Sequence, residues 1–151
     1  MTQVQMAPRK RIVLVAHDAK KDTLVRWCRQ HRSTLAEHEL FATGTTAQRV
    51  SAALQQAVHP FLSGPMGGDQ QIGAQIAEGR LDILVFFWDP MSQMPHDPDI
   101  KALLRIAAVW NIPVACNAAS ADFLISSPLI AAPYQRDTLD YTAYVASRQQ
   151  P

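Results

Sequence analysis

The chain has 151 residues, 48% hydrophobic and 18% charged, a globular balance with length enough for one buried core. Its formal net charge of +1 argues against nucleic acid or an acidic membrane as partner, so any anion site must be local. The two cysteines, Cys28 and Cys116, stand in no paired motif, no apolar run is long enough for a bilayer, and residues 1–10 lack a secretory core, so a cytoplasmic protein is expected.

Residues 1–10 read as flexible, and 1–151 as a single domain. Arg11 to Ala16 is apolar without alternation, as a strand buried on both faces requires, and it ends at His17-Asp18. A helix from Lys20 to His31 follows, with Leu24, Val25 and Cys28 at core spacing. A second strand, Glu39 to Ala42, ends at Thr43-Gly44-Thr45-Thr46, and a helix over Ala47 to Gln56 has a threonine hydroxyl as its expected cap. The third strand, Val58 to Leu62, runs into Ser63-Gly64-Pro65-Met66-Gly67-Gly68-Asp69. Beyond it a helix over Asp69 to Glu78 stops at Gly79. Ile83 to Trp88 is the fourth strand, ending at Asp89-Pro90, and a loop holding His96 and Asp97 leads into a helix over Asp99 to Val109. Pro113 to Cys116 is a fifth strand, Ser120 caps a short helix to Ile125, and Tyr141, Tyr144, Val145 and Arg148 suggest a last helix.

Strand and helix alternate five times. The fold class is α/β: three layers, a five-stranded, mainly parallel, doubly wound sheet with helices on both faces. Ligands of such sheets bind beyond the carboxyl ends of the strands. Those ends carry His17 and Asp18, then Thr43 to Thr46, Ser63 to Asp69, Asp89 with His96, and Asn117. The loops at the other edge, Thr34 to His38 and Gly79 to Asp82, look ordinary, and His31, His38 and His59 read as surface or structural.

Thr43-Gly44-Thr45-Thr46 offers hydroxyls and N–H groups at a helix start but lacks the P-loop lysine, so it suits a single phosphate. Lys21, four residues after His17, can reach the same edge. Asp69 stands where a helix cap would, or where a carboxylate would lie beside a bound anion. His17, His96 and Asp99 imitate metal ligands, but no paired cysteines or His-Glu helix motif support a metal, and none is expected. Asp18 and Asp89 read as orienting groups for the histidines and the lysine.

The chain resembles the methylglyoxal synthase family. The resemblance is carried by Val15-Ala16-His17-Asp18, Ala42-Thr43-Gly44-Thr45-Thr46, Ser63 to Gln71, Phe87-Trp88-Asp89-Pro90 and Pro95-His96-Asp97-Pro98-Asp99, and it spans Arg11 to Pro128. Beyond that it continues only through Asp140-Tyr141, Tyr144 and Arg148. The resemblance implies conversion of dihydroxyacetone phosphate to methylglyoxal and inorganic phosphate, with no metal or organic cofactor. It implies that Asp69 is the catalytic base, that His96 hydrogen-bonds the reacting oxygens and that Asp99 assists. It implies that His17, Lys21, Thr43, Gly44, Thr45, Thr46, Ser63 and Gly64 contact substrate, mainly its phosphate. It further implies a homohexamer, inhibition by phosphate, and an Arg148 lent by a neighbouring subunit. The alternative is a non-catalytic, phosphometabolite-sensing regulatory domain of the same fold, which leaves Asp69, His96 and Asp99 without a task. An isomerase acting on the same substrate is a further alternative.

Overall fold

The structure, a computed structural model, describes residues 1–92 and 97–149, the side chains of 97–99 excepted. Strand β1 (Thr2–Met6) opens the chain outside the main sheet. The main sheet has five parallel strands: β2 (Arg11–Ala16), β3 (Glu39–Thr43), β4 (Val58–Phe61), β5 (Ile83–Phe87) and β6 (Val114–Ala115). Their spatial order is β4-β3-β2-β5-β6. The chain winds outward from β2 through β3 to β4, then crosses back to β5 and β6, so the winding reverses between β2 and β5. The expected α/β architecture is therefore present, and the crevice rule points to the carboxyl ends of these central strands.

The apolar runs divide their side chains between two cores because successive residues of a strand face opposite ways. Ile12, Leu14 and Ala16 of β2 join Ile83, Val85 and Phe87 of β5 on one face. They pack on Leu24 and Cys28 of α1 (Lys21–Gln30), Leu35 of α2 (Arg32–Leu35) and Val50 and Leu54 of α3 (Gly44–Leu54). Val13, Val15, Leu84 and Phe86 face the other way, onto Ile72 and Ile76 of α4 (Gly68–Ala77) and Ile100 and Leu103 of α5 (Asp97–Val109). Each such buried aliphatic side chain contributes on the order of 1.5–3 kcal/mol, so the central strands are the rigid base of the molecule.

Several boundaries differ from expectation. Helix α3 begins at Gly44 rather than Ala47, so the threonine loop is itself the first turn of the helix. Helix α4 begins at Gly68 with Gly67 as its cap, which places Asp69 inside the first turn and rules it out as the cap. Helix α6 (Ala118–Ser126) is capped by Asn117, whose Oδ1 accepts the Ser120 N–H at 2.9 Å; Ser120 is the capped residue, not the cap.

Residues 1–10, read as flexible, include a paired strand: β1 runs antiparallel to β7 (Tyr134–Thr138), with Thr2 opposite Thr138 and Met6 opposite Tyr134. Met6 is buried in the first core, and the buried Lys10 ammonium donates to the carbonyls of Ala7 and Ala132 at 2.6 Å each. These long-range ties order the segment. At this same lower edge the buried Asp82 carboxylate accepts the Arg11 N–H at 2.7 Å and the Arg11 Nε at 3.0 Å. His38 Nδ1 accepts the Lys10 N–H at 2.9 Å, a structural role. The last helix, α7 (Tyr141–Arg148), buries none of its residues in the protomer. No helix among the described residues is long and apolar enough to cross a membrane.

Candidate active site

The upper edge of the sheet opens into a cavity of about 360 Å³, lined by His17, Asp18, Lys21, Thr43 to Thr46, Ser63, Gly64 and Asp69, together with Pro65 and Phe86. Ten of the fourteen residues expected at the site thus line one cavity. Each arrives from a strand end or from the helix turn that follows one.

His17 ends β2. Its N–H donates to the Phe87 carbonyl at 3.1 Å, which continues the sheet ladder by one residue. Its ring stands edge-on to Phe86, with centroids 5.4 Å apart. Nδ1 accepts the backbone N–H of Asp89 at 3.2 Å, so the neutral ring carries its proton on Nε2. Asp89 therefore orients His17 through its peptide, not its carboxylate, which instead accepts the Met91 N–H at 3.0 Å within its own turn.

Lys21 opens α1. Its ammonium donates to Asp18 Oδ1 at 2.8 Å and to Thr45 Oγ1 at 2.9 Å, bridging the starts of α1 and α3. Asp18 is exposed, and the lysine hydrogen bond, reinforced by its charge, holds the Asp18 carboxyl below its usual range. Asp18, expected as an orienting group, thus contacts the lysine.

Thr43 precedes α3 with an extended backbone, and no side chain caps the helix. Gly44 takes a φ of +44°, and a Cβ there would stand 2.9 Å from the Ser63 Cβ, so only glycine lets the two loops touch. The Thr46 hydroxyl is buried and has no hydrogen-bond partner among the described residues. An orphaned buried hydroxyl is costly in isolation, and its position on the cavity wall suits an incoming acceptor. Helix α4 is likewise uncapped by any side chain, whereas α6 and α7 are capped by Asn117 and Asp140. The first turn of α3 lies at the cavity and turns the positive end of its dipole toward it, and α4 begins beside the same space with Asp69 in its first turn. Lys21, bonded to Thr45, adds a positive charge to the same wall of the cavity.

Asp69 enters the same cavity. Its carboxylate oxygens lie 3.6 and 3.7 Å from where a Cβ on Gly64 would stand, an ordinary contact distance, so the carboxylate rests over Gly64. Gly67, at φ +111°, turns the chain into α4 and delivers Asp69 to that place. Among the described residues no three His, Cys, Asp or Glu side chains group as metal ligands would.

His96 lies outside the described residues, and so does the side chain of Asp99, whose backbone belongs to the first turn of α5. Arg148 ends α7, with its guanidinium 5.2 Å from the Tyr144 ring centre, and it does not line the cavity of its own protomer. Four lining residues escaped the sequence reading as site residues: Val15 and Ala16, read as the buried end of a strand, and Pro65 and Phe86. Pro65 sat inside the singled-out stretch without a role, and Phe86 looked like one more apolar residue of a buried strand.

Comparison with known proteins finds relatives along nearly the whole chain. A family model described as "MGS-like domain" matches residues 23–116. The methylglyoxal synthase of Saccharophagus degradans is 60% identical over 140 residues, covering 93% of this chain and 91% of that protein. That of Cellvibrio japonicus is 57% identical over 148 residues, covering 98% and 96%. The crystal structure of methylglyoxal synthase from Elizabethkingia anophelis NUHP1 superposes with a TM-score of 0.91 at 48% identity, covering 100% of this chain and 99% of that one.

Proposed function

The chain belongs to the methylglyoxal synthase family, and we infer that it is a lyase converting dihydroxyacetone phosphate to methylglyoxal and inorganic phosphate. The observation that carries this reading is the Asp69 carboxylate set over Gly64, in the same cavity as Lys21 and the open end of α3. A base beside a phosphate cradle is what proton abstraction next to a phosphate ester requires.

Asp69 removes a proton from the hydroxymethyl carbon, and the electron pair moves onto the ketone oxygen to give an enediolate. His96 donates to that developing oxyanion, and Asp99 orients the imidazole, a contribution of about 3 kcal/mol for one good donor. His17 presents its Nε2–H to the substrate. The enediolate then expels phosphate as the C–O bond to the ester breaks, and the released enol tautomerises to methylglyoxal. Expulsion needs that C–O bond out of the enediolate plane, overlapping the π system. Reprotonation, the isomerase outcome, keeps it in the plane. Lys21, Thr43 to Thr46, Ser63 and Gly64 fix the direction of the phosphate and stabilise it as it leaves. No metal or organic cofactor is needed for these steps.

The protein acts in the cytoplasm as a homohexamer, and phosphate, its product, competes for the same cradle. Support for assembly comes from α7, which buries nothing in the protomer and exposes Tyr141, Tyr144 and Arg148. A neighbouring copy covering that helix would bring Arg148 to the next cavity. Incubation with dihydroxyacetone phosphate tests the reading: phosphate and methylglyoxal should appear in equal amounts. Triose phosphate without phosphate release would mean an isomerase, and no product at all would mean a sensing domain.

A further inference from the structure

We propose that Gln71 is a positioning residue that sets the phosphate cradle relative to Asp69 and so steers the enediolate toward elimination; the proposal rests on the lyase reading above. Leu62 is the first residue beyond β4, and its peptide is held from both sides. Its N–H donates to Gln71 Oε1 at 2.8 Å, across nine positions of sequence. Its carbonyl oxygen lies so close to Gly68 that a Cβ there would stand 2.0 Å away. The Gly68 N–H in turn donates to the Ser63 carbonyl at 3.0 Å. Residues 62–68 therefore close on themselves, and Gln71 is the side chain that ties the root of the loop.

That loop joins the two halves of the chemistry. Ser63 and Gly64 belong to the phosphate side, and the loop delivers Asp69 at its far end. The Leu62 side chain is 53% exposed and so gives the root no apolar anchor. Gln71 stands two positions after Asp69, roughly on the opposite side of α4. Its N–H donates to the Gly67 carbonyl at 3.1 Å while its carboxamide accepts from Leu62. One residue thus links the helix that carries the base to the strand end that carries the cradle. Without the carboxamide, the Ser63 carbonyl keeps its bonds from Met66 and Gly68, but the Leu62 peptide loses its tie to α4, and the root of the loop shifts relative to Asp69. The C–O bond to the phosphate then departs from the out-of-plane direction that expulsion needs, and reprotonation gains.

Two variants test this. Gln71→Met keeps the length of the side chain and removes the acceptor; Gln71→Glu keeps an acceptor. Each is run in D2O with dihydroxyacetone phosphate, and deuterium in the recovered substrate is compared with phosphate released. For Gln71→Met, kcat should fall about fivefold, the worth of one neutral hydrogen bond, and the ratio of exchange to elimination should rise. For Gln71→Glu the ratio should stay near that of the unaltered protein. The ratio is independent of the fraction of folded protein, so a merely structural role would leave it unmoved. An unchanged ratio in Gln71→Met, or an equal disturbance in both variants, overturns the proposal. Absence of phosphate release from the unaltered protein would instead overturn the lyase reading itself.

Discussion

The backbone N–H of Asp89 points at His17 Nδ1 across 3.2 Å, joining the ends of two adjacent central strands. A peptide N–H can only donate, so the ring's own proton must sit on Nε2. On the proposed reading the donor that meets the substrate is at the Nε2 position, and the two amide replacements of histidine should differ. In His17→Gln the carboxamide can reach the Nε2 position; in His17→Asn it reaches only the Nδ1 position. The glutamine variant should retain about tenfold more kcat/KM than the asparagine variant, about 1.4 kcal/mol and the worth of one ordinary hydrogen bond. Steady-state kinetics decides it, and equal losses in the two variants would refute the tautomer argument.

Asp69 lies inside the first turn of α4 and does not cap it, so neutralising the carboxylate should leave the fold intact. Asp69→Asn should lower kcat by at least about 10²–10⁴, the span of general-base catalysis. A melting curve like that of the parent, together with lost turnover, is the expected pair of results. Near-normal turnover would remove Asp69 as base and promote Asp99.

Thr46 gives a prediction of opposite sign for stability and for binding. Its hydroxyl is buried without a partner among the described residues, so Thr46→Val should cost no stability and should raise the melting temperature. The same change removes an expected phosphate contact and should weaken inhibition by phosphate about five- to tenfold, the worth of one to one and a half kcal/mol. Lys21→Ala should weaken it further, since it removes a charge. Phosphate inhibition unchanged in both variants would sink the cradle assignment.

His38 predicts an acid limb of stability. Burial pushes the His38 imidazole below its ordinary value of 6.5; the Lys10 and Arg9 charges add to this and Glu37 opposes it. The unfolded chain therefore binds the proton first as pH falls. Stability is full above pH 6.5 and declines below it, down to the folded value. His38→Asn retains an acceptor for the Lys10 N–H and removes the titration. Between about pH 7.5 and about pH 5.5 its melting temperature should fall less than that of the parent. An identical fall in both proteins would assign the acid limb to other groups.

The parallel strands were legible because burial on both faces leaves unbroken apolar runs, as in Ile12 to Ala16 and Ile83 to Phe87. Glycine, threonine and aspartate at strand ends were legible as site residues because the fold class alone puts such ends on one edge. The start of α3 was not, since Gly44, Thr45 and Thr46 are weak helix formers that enter a helix only when packing holds them. Nor was β1, whose partner β7 lies more than a hundred residues away, as Thr2 opposite Thr138 shows. Local pattern carries no record of such a pairing.

By itself, then, the sequence determined which residues form the five parallel strands, which chemistry stands at the end of each, and the family to which the chain belongs. Those depend on local pattern and residue type. Only the tertiary structure decided that Asp89 meets His17 through its peptide, that Asp69 is not a cap, that the Thr46 hydroxyl has no partner among the described residues, and that Gln71 ties the loop to the helix. Each is a matter of direction and distance between atoms remote in the chain or turned by a single φ. Hydrogen bonds fade within a fraction of an ångström and some tens of degrees, a resolution that residue type and spacing do not carry.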